Sequence, residues 1–170
     1  MKTWNRFFTD HRLSTCLLSI LLLGLTGSSC NKIEEITDYD GIFTDPRDSA
    51  TYPYVVIGDQ TWMAKNMKVK LGDGSDSWCF ASDEDNCDTY GRLYTWEKAM
   101  QACPKGWHMP TDGEWKKLEI YAGMNASDAD STDWRVSGSV GIALKARKGW
   151  NSGGNGENTV RFSAIPSGIY

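Results

Sequence analysis

Few side chains in this sequence could do chemistry. Five cysteines and two histidines occur among its 170 residues. Cys103 and His108 stand five positions apart, a thiol and an imidazole that could act as nucleophile and base. That pairing needs a thiol of depressed pKa and a base within hydrogen-bond reach. The competing reading makes Cys103 an unpaired thiol and His108, after Gly106-Trp107, a hydrogen-bonded structural residue. Asp83, Glu84, Asp85, Asn86 and Asp88 crowd oxygens into one stretch, as a hard cation requires, which makes Asp83, Asp85 and Asp88 candidate calcium ligands. Their spacing is not that of an EF-hand, and a solvated acidic loop accounts for the same residues. Trp78, Trp134 and Trp150 fall in loop-like segments and are candidate ligand contacts, able to stack on a sugar. Trp62, Trp96, Trp107 and Trp115 lie beside helix or turn signals and read as core. Paired carboxylates, a Ser-His-Asp set, zinc-ligand spacing and a phosphate loop do not stand out. No catalytic residue and no cofactor is therefore expected.

The elements that position these groups begin after an address. Lys2, Arg6, His11 and Arg12 precede an apolar run from Leu13 to Leu25. Those thirteen residues would span ~20 Å as a helix, short of the ~30 Å a membrane crossing needs. A basic start, a short apolar run and small residues describe a secretory signal peptide over residues 1–29. Ser28-Ser29-Cys30 resembles a bacterial lipobox, in which Cys30 would be acylated and become the first mature residue. More than one acyl chain would hold it stably in a membrane. Asn31-Lys32-Ile33-Glu34-Glu35 resembles the surface-export signal of Bacteroidetes lipoproteins. Localisation is then the outer membrane, facing the cell surface. Residues 30–50 read as a polar tether. Losing residues 1–29 leaves 15 basic and 21 acidic side chains, an acidic balance that argues against a nucleic-acid partner.

Tyr52 to Ala64 predicts a hairpin turning near Gly58, Asp59 and Gln60. Leu71 to Asp88 shows no periodicity and reads as loop. Leu93, Trp96, Ala99, Met100 and Cys103 predict a helix between Gly91 and Pro104. Thr111 and Glu114 form a capping box that opens a second helix, with Trp115, Leu118 and Ala122 on its apolar face. A short third helix is expected over 140–146, a glycine–asparagine loop over 149–159, and a strand over 160–165. Short strands, helices and long loops make the fold class α+β.

Two groups of motifs carry a family resemblance. Ile57-Gly58-Asp59-Gln60-Thr61-Trp62-Met63-Ala64-Lys65-Asn66 is followed by Tyr90-Gly91-Arg92-Leu93-Tyr94-Thr95-Trp96 and by Cys103-Pro104-Lys105-Gly106-Trp107-His108-Met109-Pro110. Gly149-Trp150-Asn151 and Phe162-Ser163-Ala164-Ile165-Pro166-Ser167-Gly168 continue in order. The stretch from about residue 47 to 170 resembles the Fibrobacter succinogenes major paralogous (FISUMP) domain, found in lipoproteins and secreted proteins. The run from Trp96 to Trp115 is also similar to C-type-lectin-like domains and formylglycine-generating enzymes, which implies twisted antiparallel strands, two flanking helices and long loops. Lectin-type calcium patterns, Glu-Pro-Asn and Trp-Asn-Asp, do not occur. Relatives run on past this point to a final strand, so the resemblance implies a domain over 51–170 whose C-terminal part is missing.

With Cys16 in the leader and Cys30 acylated, Cys79, Cys87 and Cys103 remain. Cys79 and Cys87 close a nine-residue loop and are the preferred disulfide in an oxidising compartment. Cys103 is then the unpaired thiol, whose partner the resemblance places in the missing segment. The expected function is a lipid-anchored, non-catalytic binding or display domain for a glycan or protein ligand. The alternatives are an oxidase of the formylglycine-generating type, or a degenerate paralogue without function.

Overall fold

The computed structural model describes residues 38–168 and the backbone pairing of Phe8–Thr9. The expected signal peptide and the lipidation residue Cys30 otherwise lie outside the described residues. The architecture is α+β, as the sequence predicts.

Its centre is a hairpin. Strand β3 (Thr51–Ile57) and strand β4 (Gln60–Met63) pair antiparallel from Ile57 opposite Gln60 to Tyr54 opposite Met63. This leaves Gly58-Asp59 as a two-residue turn, and Gly58 takes the positive φ of +63° that such turns demand. β2 (Gly41–Thr44) lies antiparallel along β3, and β1 (Phe8–Thr9) along β4, so the sheet order is β1-β4-β3-β2. Val55 and Ile57 point inward and Val56 outward, the two-residue alternation of a half-buried strand.

Onto this sheet packs α3 (Asp112–Tyr121), started by the predicted capping box. The Thr111 side chain accepts from the Glu114 N–H, and the Glu114 carboxylate accepts from the Thr111 N–H. Trp115 and Leu118 are buried against Trp62, Val55, Ile57 and Phe162. Trp62 is fully buried, 4.9 Å from the Trp115 ring and 5.7 Å from that of Phe162, in tilted and edge-on geometries that aromatic pairs favour. A second cluster joins Tyr52, Met63, Met67, Val69 and Tyr94 to Ala99 and Ala102 of α2 (Trp96–Ala102). A third, with Met124 and Val140, sits under α4 (Ala126–Ala129) and α5 (Val140–Leu144).

Several expectations change. The supposed tether folds from Gly41 on: β2 joins the sheet, and Asp45 is buried under a forked ion pair with Arg47. The stretch expected as loop contains β5 (Ser77–Trp78), a single 3₁₀ turn (Phe80–Ser82) and α1 (Asp85–Tyr90). These pieces are too short to carry a period, and a disulfide braces them. The helix expected from Leu93 starts at Trp96, because Leu93–Tyr94 form β6 and pair with β5. Trp96, read as core, is 57% exposed at that helix's first position. No strand forms over 160–165, where Arg161 and Ser163 take φ of +60° and +55°. The Ser163 N–H is instead drawn to Asn158 Oδ1 at 2.6 Å, and only an isolated bridge joins Ala164 to Lys145.

Candidate functional site

Four segments distant in sequence meet at a cleft of about 420 Å³. Residues 49–52 supply one wall, residues 64–68 leaving β4 another, and residues 87–91 of α1 and its end a third. Ser163 and Ile165 close the fourth side, with Tyr39 at the margin. The segments are tied by main-chain geometry. Arg92 N–H donates to the Met67 carbonyl at 2.8 Å, and Asn66 Nδ2 donates to the Tyr90 carbonyl at 2.8 Å. Gly91, at φ +77°, is buried in this crossing, and a Cβ there would lie 2.4 Å from the Asn66 Cβ. Only glycine lets the two chains approach so closely.

The lining is polar and largely neutral. Tyr52 accepts the Lys68 N–H on its hydroxyl, and burial pushes its pKa up to about 12, so it is a neutral phenol. Lys68 pairs with Asp88, whose carboxyl is held below its usual range by that hydrogen bond. Lys65 and Thr89 are exposed members of the lining. Such a surface offers hydroxyl, amide and ammonium groups to a polar ligand.

Cys79 and Cys87 form the disulfide expected from their spacing, with 5.0 Å between Cα atoms. Cys103, half-buried at the C-cap of α2, is a free thiol. Burial pushes it up to about 11 despite nearby Arg47, the reverse of what a thiolate nucleophile needs. His108 holds Glu114 Oε1 at 2.9 Å through Nε2. Burial would raise Glu114, but the Thr111 N–H, His108 and the Thr111 hydroxyl together bring its carboxyl below the usual value. This His108–Glu114–Thr111 group secures the start of α3.

The calcium candidates do not gather. The Asp83 carboxylate accepts the Asp85 N–H at 3.1 Å, while Asp88 is turned to Lys68. Among the described residues the ligand atoms lying within 4.8 Å of one another belong to Cys79, Glu84 and Cys87. Two of those sulfurs are already bonded together, and Glu84 holds the buried Arg92 guanidinium at 2.7 Å. The three tryptophans are also dispersed. Trp78 lines a small hollow with Glu84 and Arg92. Trp134 is 86% exposed and stays out of the charged hollow that its chain neighbours Asp133 and Arg135 line. Trp150 donates its indole N–H to the Ala164 carbonyl at 3.0 Å and carries Lys145 over its ring.

The family described as Fibrobacter succinogenes major domain matches residues 55–170. The chain belongs to this family. No curated protein and no solved structure matches it. Within the Fibrobacter succinogenes major domain, three of the motifs that carried the resemblance contribute to the cleft. Ala64-Lys65-Asn66, Gly91 and Ser163-Ile165 all line it. The sequence did not single out Lys65, Asn66, Thr89 or Ser163 as site residues. Each is an ordinary polar residue in its own segment, and only their convergence marks them. Asp45 and Arg47 were equally hidden, although Asp45-Pro46-Arg47-Asp48 is a turn signal that could have argued for an ordered start.

Proposed function

We propose that this protein is a lipid-anchored, non-catalytic binding module at the outer face of the outer membrane, on a C-type-lectin-like variant of the α+β fold. Its ligand is a hydroxyl-rich glycan held in the cleft between β3, the end of β4 and α1. The observation that carries the reading is the cleft itself: four segments converge to build it, and its lining includes the exposed Lys65 and Thr89. Tyr39 supplies an aromatic edge there. Ligand sites are concave and orient their occupants with a few placed polar groups, as here. Non-catalytic action is supported by the raised Cys103 thiol, the bonded Cys79 and Cys87, and the engagement of His108 with Glu114. Anchoring is supported by the basic, apolar and small-residue order that ends at Cys30.

A glycan array probed with the protein tests the reading. Capture should fall at least about tenfold in a Tyr39→Ala, Lys65→Ala, Thr89→Ala variant, a loss of ~1.4 kcal/mol. Capture in Trp78→Ala, Trp134→Ala, Trp150→Ala should persist. Loss only in the tryptophan variant would move the site to those rings, and no saccharide capture by the wild type would end the glycan reading. Labelled palmitate should enter the wild type and not Cys30→Ala.

A further inference from the structure

A second, smaller hollow of about 230 Å³ opens where β5 meets the 3₁₀ turn, and it shares no lining residue with the cleft. Lys70, Gly74, Ser77, Ser82, Glu84 and Arg92 contribute to it. Its cations outnumber its carboxylates. The Arg92 side chain is 5% exposed and pairs with Glu84, whose own side chain is 71% exposed. The stem of Lys70 lies across Gly74, where any Cβ would collide with it, and its ammonium has no acidic partner among the described residues. Neighbouring acids are engaged elsewhere: Asp73 accepts the Ser75 N–H, Asp76 pairs with Lys98, and Asp88 pairs with Lys68. Ser77 is buried, and its hydroxyl has no hydrogen-bond partner within the protein. Buried polar groups are rarely left so, and a ligand is one way to satisfy them.

We propose that this hollow binds a carboxylate group, carried by a free small acid or by an acidic sugar. Two cations against one carboxylate leave room for a second anion, and an arginine fork matches a carboxylate in shape. Glu84 already shows the fit, because its carboxylate meets Arg92 Nη2 at 2.7 Å. The incoming group pairs with the Lys70 ammonium and supplies the acceptor that the Ser77 hydroxyl lacks. Glu84 opposes it by like charge and holds the same guanidinium, so it acts as a built-in competitor. A buried guanidinium needs a counter-charge, which Glu84 provides until the ligand arrives. An ion pair with one member mostly in solvent is weak, so that competitor can be displaced. The site does not depend on the cleft holding a glycan.

The test titrates the isotope-labelled full chain in detergent micelles with sodium acetate, sodium glucuronate and glucose, against sodium chloride at matched ionic strength. Amide chemical shifts are read at residues 70–84 and 92, and at residues 64–68 for the cleft. We expect saturable shifts at 70–84 and 92 with both carboxylates, and none there with chloride or glucose. Lys70 is exposed and can be changed without threatening the fold. Lys70→Met should weaken acetate binding about fivefold, as befits a solvent-exposed charge contact, and Lys70→Arg should restore it. Glu84→Gln should tighten acetate binding about tenfold, because the buried guanidinium loses its resident counter-charge. Acetate should also raise the melting temperature of Glu84→Gln more than that of the wild type. Tighter binding of glucuronate than of acetate supports the proposal with an acidic sugar as the source, and equal binding supports it with a free acid. Shifts that follow chloride equally would overturn the proposal, as would unchanged acetate affinity in folded Lys70→Met. Weaker acetate binding by folded Glu84→Gln would overturn it too. Carboxylate shifts at 64–68 in place of 70–84 would assign the anion to the cleft and end the second site.

Discussion

At the scale of single residues, charge and burial decide more than reactivity does. Asp45 has a fully buried side chain, and its oxygens take the Arg47 guanidinium at 2.6 to 3.1 Å. Arg47 in turn donates to the Ala102 carbonyl at 2.7 Å, which ties the start of the domain to α2. Burial would raise the Asp45 carboxyl, yet the hydrogen bonds and charge of Arg47 bring it below the ordinary value of 3.8. Its stabilising contribution is therefore complete above the usual carboxylate range and is lost as pH falls through the depressed value. Asp45→Asn should lower stability at pH 7 by about 2–4 kcal/mol, towards the low end of buried-pair losses because Arg47 stays 32% exposed. In urea melts the gap between variant and wild type should close as pH drops towards 3. Cys103 gives a second prediction. With its pKa near 11, alkylation followed by mass should be slow at pH 8 and accelerate above pH 10, while a reactive thiolate would label at once.

At the scale of elements, local signals held where they were local and failed where neighbours intervened. The capping box at Thr111 and Glu114 is written in four consecutive residues, so helix α3 was legible from its first turn. Thr111→Ala should cost about 1 kcal/mol, seen as a shift of the denaturant midpoint with unchanged slope. The eight-residue separation of Cys79 and Cys87 likewise marked their bridge. Reducing it should cost ~2–3 kcal/mol by loop entropy and release β5 and α1 first, visible as faster amide exchange across residues 77–90. Residues 160–165 alternate as a strand does, but the Asn158 side chain holds Ser163 by both N–H and Oγ at 2.6 Å. That local capture bends the backbone to positive φ and takes its amide from any ladder. Leu93 and Tyr94 fit a helical period equally well and were claimed by β5, a pairing that no window of adjacent residues contains.

At the scale of the molecule, the sheet, α3 and the C-terminal segment share one aromatic core, and the cleft is what remains where the segments cannot close. Gly91 sits at that seam. Gly91→Ala should cost about 2–3 kcal/mol, because its backbone conformation is open essentially to glycine alone and the added Cβ would meet Asn66. Thermal melts should show the loss, and ligand capture should fall with it, since residues 64–68 must move to make room.

By itself the sequence determined the α+β class, the hairpin with its Gly58-Asp59 turn, the capped helix, the Cys79–Cys87 bridge and membership of the Fibrobacter succinogenes major domain. All of these depend on residues close together in the chain, or on motifs in a fixed order. Only the tertiary structure decided that Asp45 is buried, that Trp96 faces solvent, that the three candidate tryptophans stand apart and that residues 49–52, 64–68, 87–91 and 163–165 make one cleft. The physical reason is that burial and convergence are set by which faces pack together. A polar residue in a tether and a polar residue lining a site look alike until the segments around them have folded.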